Sequence, residues 1–313
     1  MKVLIANPAA AGGRVGREWD TMIPEVVRAL GGDVRPMRTN GNGDGANQAQ
    51  AAIAGGARVL YSLGGDGTHG EVTAGIVASG VRGLTLGVIH AGTGGDFRRM
   101  LPQGPADQGP VGAARAIAGL PARPIDVGRV TCTNSDGTRT EPRIFLNEVS
   151  FGMGGLVCQF ANATSKRLGG KATFLIATGR AMARYTPATV RIVVDGRDLG
   201  AHEITNVGVS NGQFAGGGMH FAPRARLDDG LFDVTIIRAA SMFRAAAAMP
   251  SLYDGTIASS PLVSMDRGAH VAVTPLSAHP AWVEADGEPL GIAPLEVEVL
   301  PHALELIGAP APS

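Results

Sequence analysis

The stretch LYSLGGDGTHGEV, residues 60–72, decides how the first half of the chain is read. An apolar run enters a cluster of glycines and an aspartate, and a helix-compatible segment follows at once. Glycine loses more backbone freedom on folding than any other residue. Gly64, Gly65 and Gly67 within four positions therefore call for a backbone that comes close to a ligand, with its N–H groups turned toward an anion. The structural alternative is a tight strand-to-helix turn with Asp66 as its N-cap. On the first view a helix starting near His69 adds its positive end and Thr68 adds a hydroxyl. Asp66 then makes sense beside phosphate only with a divalent cation, or water on that cation, between them.

Outward from this loop, residues 1–126 alternate strand and helix patterns. KVLIA, DVRPMRT, ARVLYSL and GLTLGVI read as strands, and REWDTMIPEVVRAL, GANQAQAAIA, HGEVTAGIVAS and PVGAARAIAG as helices. Such alternation predicts a parallel sheet with helices on both faces, and ligands beyond the carboxyl ends of its strands. Three glycine-rich loops fall at such ends: 7–16, 64–68 and 90–97. After RPIDVGRV (123–130) strand-like runs and turns dominate, with helical stretches at 171–185 and 241–253. The expected class is α/β: a doubly wound, mostly parallel N-terminal sheet in three layers, then a mainly antiparallel β-sandwich domain with inserted helices. The expected domains are 1–127, to which the chain end 297–313 returns, and 128–296.

Composition narrows the function. The chain has 313 residues, 44% hydrophobic and 17% charged, with 27 basic and 27 acidic side chains. It can form a core. A net charge of zero provides no general attraction for nucleic acid. Two cysteines, Cys132 and Cys158, make neither a disulfide framework nor a zinc site. The opening MKVLIANP is too short an apolar run for a signal peptide, and no stretch approaches the ~18 apolar residues of a membrane span. The expectation is a soluble cytoplasmic protein whose membrane contact, where it occurs, is peripheral and at the inner face.

Two further segments carry candidate chemistry. Asp228 and Asp229 before Gly230 match a turn holding a hard cation, and equally an Asp-Gly hairpin turn. In EADGEPLG (284–291), Asp286 and Glu288 flank a turn glycine; one of them is a candidate general base, against the plainer reading of a solvated hairpin tip. There is no G-x-x-x-x-G-K-[ST] motif. His69 and His90 read as loop or capping residues. The Met and Phe residues at 219–221 and 242–249 read as core. The basic clusters 165–171 and Arg98–Arg99 read as solvated surface, with anionic lipid headgroups as the functional alternative.

Seven motifs in order, NPAAAGG, SLGGDGTHGEV, AGTGGDF, PIDVG, FLNEVSFGMGG, AGGGMHFAPRARLDDGLFDV and ADGEPLG, resemble the bacterial diacylglycerol kinase family of lipid kinases. That family is related to sphingosine kinases and NAD kinases. The resemblance implies an α/β nucleotide domain, a β-sandwich-like domain, and ATP in the cleft between them. It implies that Gly65 through Glu71 (Gly65, Asp66, Gly67, Thr68, His69, Gly70, Glu71), with Gly64, hold the nucleotide phosphates, and that Thr39 and Thr93 touch ATP. It implies that Asp66 organises a magnesium water network with Asp126 nearby. A structural magnesium would sit on the backbone oxygens of Arg226 and Leu231 and the carboxylate of Asp229. Glu288 would be the base that takes the proton of a lipid hydroxyl attacking the γ-phosphorus.

One departure stands out: Gly95 occupies the position of an asparagine in the family's G-T-x-N-D-F. The competing expectations are a NAD kinase-like or other small-alcohol kinase, on GGDGT and LNEV (146–149), and a non-catalytic nucleotide- or lipid-binding regulator, on Gly95 alone. A homodimer is the default oligomeric expectation.

Overall fold

The computed structural model describes residues 1–41, 43–92, 94–102, 109–163, 170–241, 244 and 247–311. Thr93, residues 165–169 of the basic cluster, Met242 and Phe243 lie outside them. The chain divides into two compact units, Met1–Val127 with Pro301–Ser313, and Gly128–Leu300.

In the first unit the apolar runs form parallel strands: β1 (Lys2–Ala6), β2 (Arg35–Arg38), β3 (Val59–Gly64) and β4 (Thr85–His90). The end of β14 (Glu288–Ile307) joins them through Glu305 and Leu306 opposite Thr85 and Leu86, giving the order β14-β4-β3-β1-β2. Strand side chains alternate between faces. Leu4, Ala6, Tyr61, Leu63 and Ile89 bury one face against helices α2 (Trp19–Ala29) and α5 (Gly109–Ile117). Helix α1 (Arg14–Arg17) is a single turn, broken from α2 at Glu18. The other face carries α3 (Asp44–Ala54) and α4 (Asp66–Ala78). These two helices meet at Gly75, where a Cβ would lie 2.5 Å from the carbonyl oxygen of Ala46. The unit is thus a three-layer αβα sandwich.

The second unit is antiparallel. It contains β5 (Ala122–Thr133, entering from the first unit), β6 (Arg143–Phe145), β7 (Glu148–Gly152), β8 (Ala188–Val194), β9 (Arg197–Ser210), β10 (Phe232–Arg238), β11 (Val263–Gly268), β12 (His270–Pro275), β13 (Trp282–Ala285) and the first part of β14. Six of these strands pair in a closed circuit, β9-β7-β13-β14-β12-β8 and back to β9. Closure leaves these strands few free edges.

Phe145, Phe151 and Phe232 are fully buried inside the unit, and Phe145 stacks on Phe232 at 5.5 Å. Each such side chain contributes roughly 1.5–3 kcal/mol through burial. Two hairpins turn at Asp195-Gly196 and Asp286-Gly287, with positive φ at both residues of each pair, as a two-residue turn requires. Helices α6 (Met153–Ala163) and α7 (Gly170–Arg184) are inserted between β7 and β8.

Phe221 is buried as expected of a core residue, whereas Met249 is 46% exposed and is not core. Cys132 and Cys158 are both free thiols. Among the described residues no helix is long and apolar enough to cross a membrane.

Candidate active site

Strand β3 runs to Gly64, Gly65 is the N-cap, and α4 opens at Asp66. The helix therefore begins three residues before His69, and Asp66 is its first residue rather than its cap. A Cβ on Gly64 would overlap the side chain of Thr68, so only glycine lets the strand turn into the helix this tightly. Gly65, Asp66 and Gly67 remain partly exposed, while Thr68, His69 and Gly70 are buried. The accessible amide end of α4, with its partial positive charge, thus lies at residues 65–67.

Side chains tie the three glycine-rich loops together. Asn7 Nδ2 donates to Thr68 Oγ1 at 3.0 Å, and Asn7 Oδ1 accepts the Ala9 N–H at 2.8 Å. Asp66 Oδ2 accepts the Gly95 N–H at 2.9 Å. Loops 7–16 and 90–97 are thereby both anchored to the turn at 64–68.

Below the loop, His69 Nδ1 hydrogen-bonds Ser62 Oγ at 2.8 Å, and the His69 and His90 rings lie 5.7 Å apart. Burial, with His90 adding, lowers His69 to about 3; burial, with Arg98 adding, lowers His90 to about 4. Both imidazoles are neutral at physiological pH and form the floor of the loop. This explains Gly95. Its φ is +96°, and a Cβ there would lie 2.7 Å from His90 Nε2. The glycine leaves space for the imidazole, and its own N–H holds Asp66.

The remaining expected nucleotide residues divide. Thr39 is 3% exposed, and its N–H donates to the Ala6 carbonyl at 3.0 Å. Glu71 accepts the Gly43 N–H at 2.7 Å and the Gly45 N–H at 3.0 Å, so its carboxylate serves the N-terminus of α3. Asp126 is fully buried, and its Oδ1 accepts the N–H of His302 at 2.9 Å. His302 has a φ of +49°, so Asp126 fixes a strained bend in the returning chain.

In the second unit the DGE turn separates its two candidates. The Asp286 carboxylate accepts three backbone N–H groups, from Leu146 at 2.7 Å, Asn147 at 2.9 Å and Glu148 at 3.0 Å. It is an anchor, and burial raises its pKa despite those bonds. Glu288 stays partly exposed and accepts from Asn162 Nδ2 at 3.4 Å. Between the two sits a residue that sequence reasoning did not single out. Glu284 is 3% exposed, with Oε1 on the Ser150 hydroxyl at 2.5 Å and Oε2 on the Gly287 N–H at 2.8 Å. Burial raises its pKa to about 7. Cys158 on α6 faces the same group: burial pushes its thiol up, with Glu284, Glu148 and Glu288 adding.

The proposed structural-metal set does not fit a cation as it stands. Asp229 Oδ2 is paired with Arg267, and its Oδ1 accepts the Leu231 N–H at 3.2 Å. Arg267 also reaches the fully buried Asp233 at 3.1 Å, and Arg226 pairs with Asp228 at 3.1 Å. A guanidinium already neutralises the carboxylate that a metal would need. Arg267 lies 38 positions from Asp229, and no local sequence pattern reports that pairing. Among the described residues no group of three or more His, Cys, Asp or Glu side chains suits a metal.

Three outcomes follow from these contacts. Restoring the family residue with Gly95→Asn is expected to destabilise the protein by about 2 kcal/mol or more in urea unfolding, through overlap with His90 and the unfavourable φ. Without nucleotide, the thermal midpoint is expected to be the same in excess magnesium and in EDTA; a magnesium-dependent rise shows a bound structural cation instead. Glu284, with its pKa raised above the ordinary 4.5, contributes stability below that value and loses it as pH rises through about 7. Glu284→Gln is therefore expected to gain in melting temperature relative to wild type between pH 5 and pH 8, measured by calorimetry at both.

Comparison with known proteins matches residues 2–130 to the diacylglycerol kinase catalytic domain and residues 147–308 to the YegS C-terminal NAD kinase beta sandwich-like domain. A Pseudomonas aeruginosa protein described as "Probable lipid kinase YegS-like" is 30% identical over 94% of this chain and 91% of its own length. A diacylglycerol kinase of Mycobacterium tuberculosis is 27% identical over 90% of this chain and 84% of its own length. The crystal structure of a diacylglycerol kinase from Bacillus anthracis superposes with a TM-score of 0.70 at 23% identity, covering 99% of this chain and 97% of that one. The chain belongs to the family in which a diacylglycerol kinase catalytic domain is followed by a YegS-type C-terminal β-sandwich-like domain.

Proposed function

We propose that this protein is an ATP-dependent lipid kinase that transfers the γ-phosphate to the hydroxyl of a lipid alcohol such as diacylglycerol. The observation that carries the reading is the glycine-only turn at 64–68, which presents the amide end of α4 at the end of a parallel strand, in a chain matching the catalytic and C-terminal domains of this family. Phosphoryl transfer depends on positioning and on neutralising charge more than on covalent help. In this reading the N–H groups of residues 65–67 hold the triphosphate. Asp66, braced by Gly95, faces the water shell of the magnesium that accompanies the nucleotide; a carboxylate has about four acceptor sites, so the bond to Gly95 leaves capacity. The magnesium supplies charge neutralisation on the phosphate oxygens.

Glu288 is the base. With Asp286 committed to three amides, Glu288 is the carboxylate of the DGE turn that can accept a proton. It takes the proton of the lipid hydroxyl as that oxygen bonds to the γ-phosphorus, and the bond from phosphorus to the β,γ-bridging oxygen breaks, releasing ADP. Glu284 and Asp286 position the turn.

The competing expectations receive less support. Asn147 and Glu148, which carried the NAD kinase-like alternative, are each 8% exposed, and Asn147 donates to the Phe214 carbonyl at 2.9 Å. Gly95, the basis for a non-catalytic regulator, has a structural reason in His90.

The test is phosphoryl transfer from labelled ATP to diacylglycerol in mixed micelles, with NAD as a parallel acceptor. Glu288→Gln is expected to lower turnover by about 10²–10⁴-fold with ATP affinity unchanged. Turnover close to wild type in that variant removes Glu288 from the role, and labelled NAD without labelled lipid removes the lipid reading.

A further inference from the structure

Helix α7 buries the wrong side chains for a simple core helix. Its inward face is Thr173, Ala177 and Ala181, at i, i+4 and i+8, with Ala177 and Ala181 packed against Leu156, Val157 and Phe160 of α6. Its large apolar residues point out: Leu175 is 73% exposed, Met182 57%, Ile176 42% and Phe174 39%. At 100° per residue, Leu175 and Met182 lie on the side opposite Ala177. An ordinary amphipathic helix has the reverse arrangement, with large apolar residues inward. Solvent-facing Leu, Ile and Met along one helix mark an interaction face.

Charge identifies the occupant. Arg180 and Arg184 stand on the same helix, each over the ring of Phe160, at 4.9 and 5.8 Å. From residue 149 to residue 194 the sequence contains six basic residues (Lys166, Arg167, Lys171, Arg180, Arg184 and Arg191) and no acidic one. A second copy of the chain fits poorly, because a two-fold interface would bring this basic face onto itself. A nucleic acid offers little to Leu, Ile and Met. A helix with outward Leu, Ile and Met and arginines beside them has the pattern of one that lies in a bilayer interface, apolar face down among anionic headgroups.

We propose that α7 docks this protein onto an anionic lipid bilayer, with Leu175, Ile176 and Met182 entering the interface and Arg180 and Arg184 at headgroup level. This deepens the lipid kinase reading, since a diacyl acceptor resides in a membrane, but the docking stands on observations of its own.

The experiment is co-sedimentation of the full chain, without ATP, with vesicles of phosphatidylcholine alone or mixed with phosphatidylglycerol. Wild type is expected to bind the mixed vesicles, and to release with salt. Leu175→Asp with Met182→Asp is expected to weaken that binding about tenfold or more. Arg180→Gln with Arg184→Gln is expected to weaken it about fivefold per charge, with recovery in the Lys variants. Both Leu175 and Met182 are exposed, so circular dichroism and melting should match wild type. Binding that ignores phosphatidylglycerol, or that survives the double Asp change, overturns the proposal. So does a wild-type dimer that the double Asp change converts to monomer in gel filtration. A water-soluble short-chain diacylglycerol separates the two readings: the double Asp variant should phosphorylate it as well as wild type does. Failure of wild type to do so, with vesicle binding intact, counts against the kinase assignment and leaves the docking supported.

Discussion

No side chain fits at residue 64. Thr68 occupies the place a Cβ would take, and much of the first unit's chemistry follows from that constraint. Because the turn is this tight, α4 starts at Asp66, its first amides lie at the end of β3, and Thr68 is turned inward to meet Asn7. The same geometry places the Asp66 carboxylate against the backbone of the loop after β4. Each of these contacts is modest, about 0.5–1.5 kcal/mol net for an ordinary hydrogen bond. Together they hold three loops around one small patch of exposed amide. The glycines remove bulk, and the hydrogen bonds turn the resulting freedom into a fixed shape.

The second unit fixes its functional turn by a different device. Asp286 adopts a left-handed conformation in a two-residue hairpin turn and places its carboxylate on three consecutive amides. The tip of one hairpin is thereby fastened to residues 146–148, more than a hundred positions earlier. Glu284 adds a buried carboxyl to the Gly287 amide of the same turn. Two acidic residues are committed to architecture, and Glu288, two positions beyond Asp286, keeps a partly exposed carboxylate. Proximity in sequence among these three carboxylates conceals three different environments.

Much of the architecture was legible from pattern. The runs KVLIA, ARVLYSL and GLTLGVI are strands because continuous apolar residues followed by glycine loops suit a sheet buried on both faces. The two Asp-Gly hairpins were legible for an equally local reason. The start of α4 was not, because Asp66, Gly67 and Gly70 read as loop while tertiary contacts hold them in a helix. The choice between Asp286 and Glu288 stayed open because it depends on amides at 146–148. The pairing of Arg267 with Asp229 depends on strands β10 and β11 lying side by side, which neither segment alone reveals.

Helix α7 shows why the outer surface was less legible than the core. Hydrophobic periodicity locates a helix and gives it two faces, and the usual inference assigns the bulkier apolar face to the interior. Here α6 approaches closely, and alanines at 177 and 181 are the residues that permit it. Once small side chains are required at the contact, the periodic position of every larger residue is fixed, and Leu175 and Met182 go outward by geometry. Packing decides which face is buried before hydrophobicity does. A helix whose close neighbour demands small residues leaves its apolar bulk available for something outside the protein, and the absence of any acidic residue from 149 to 194 favours a negatively charged counterpart.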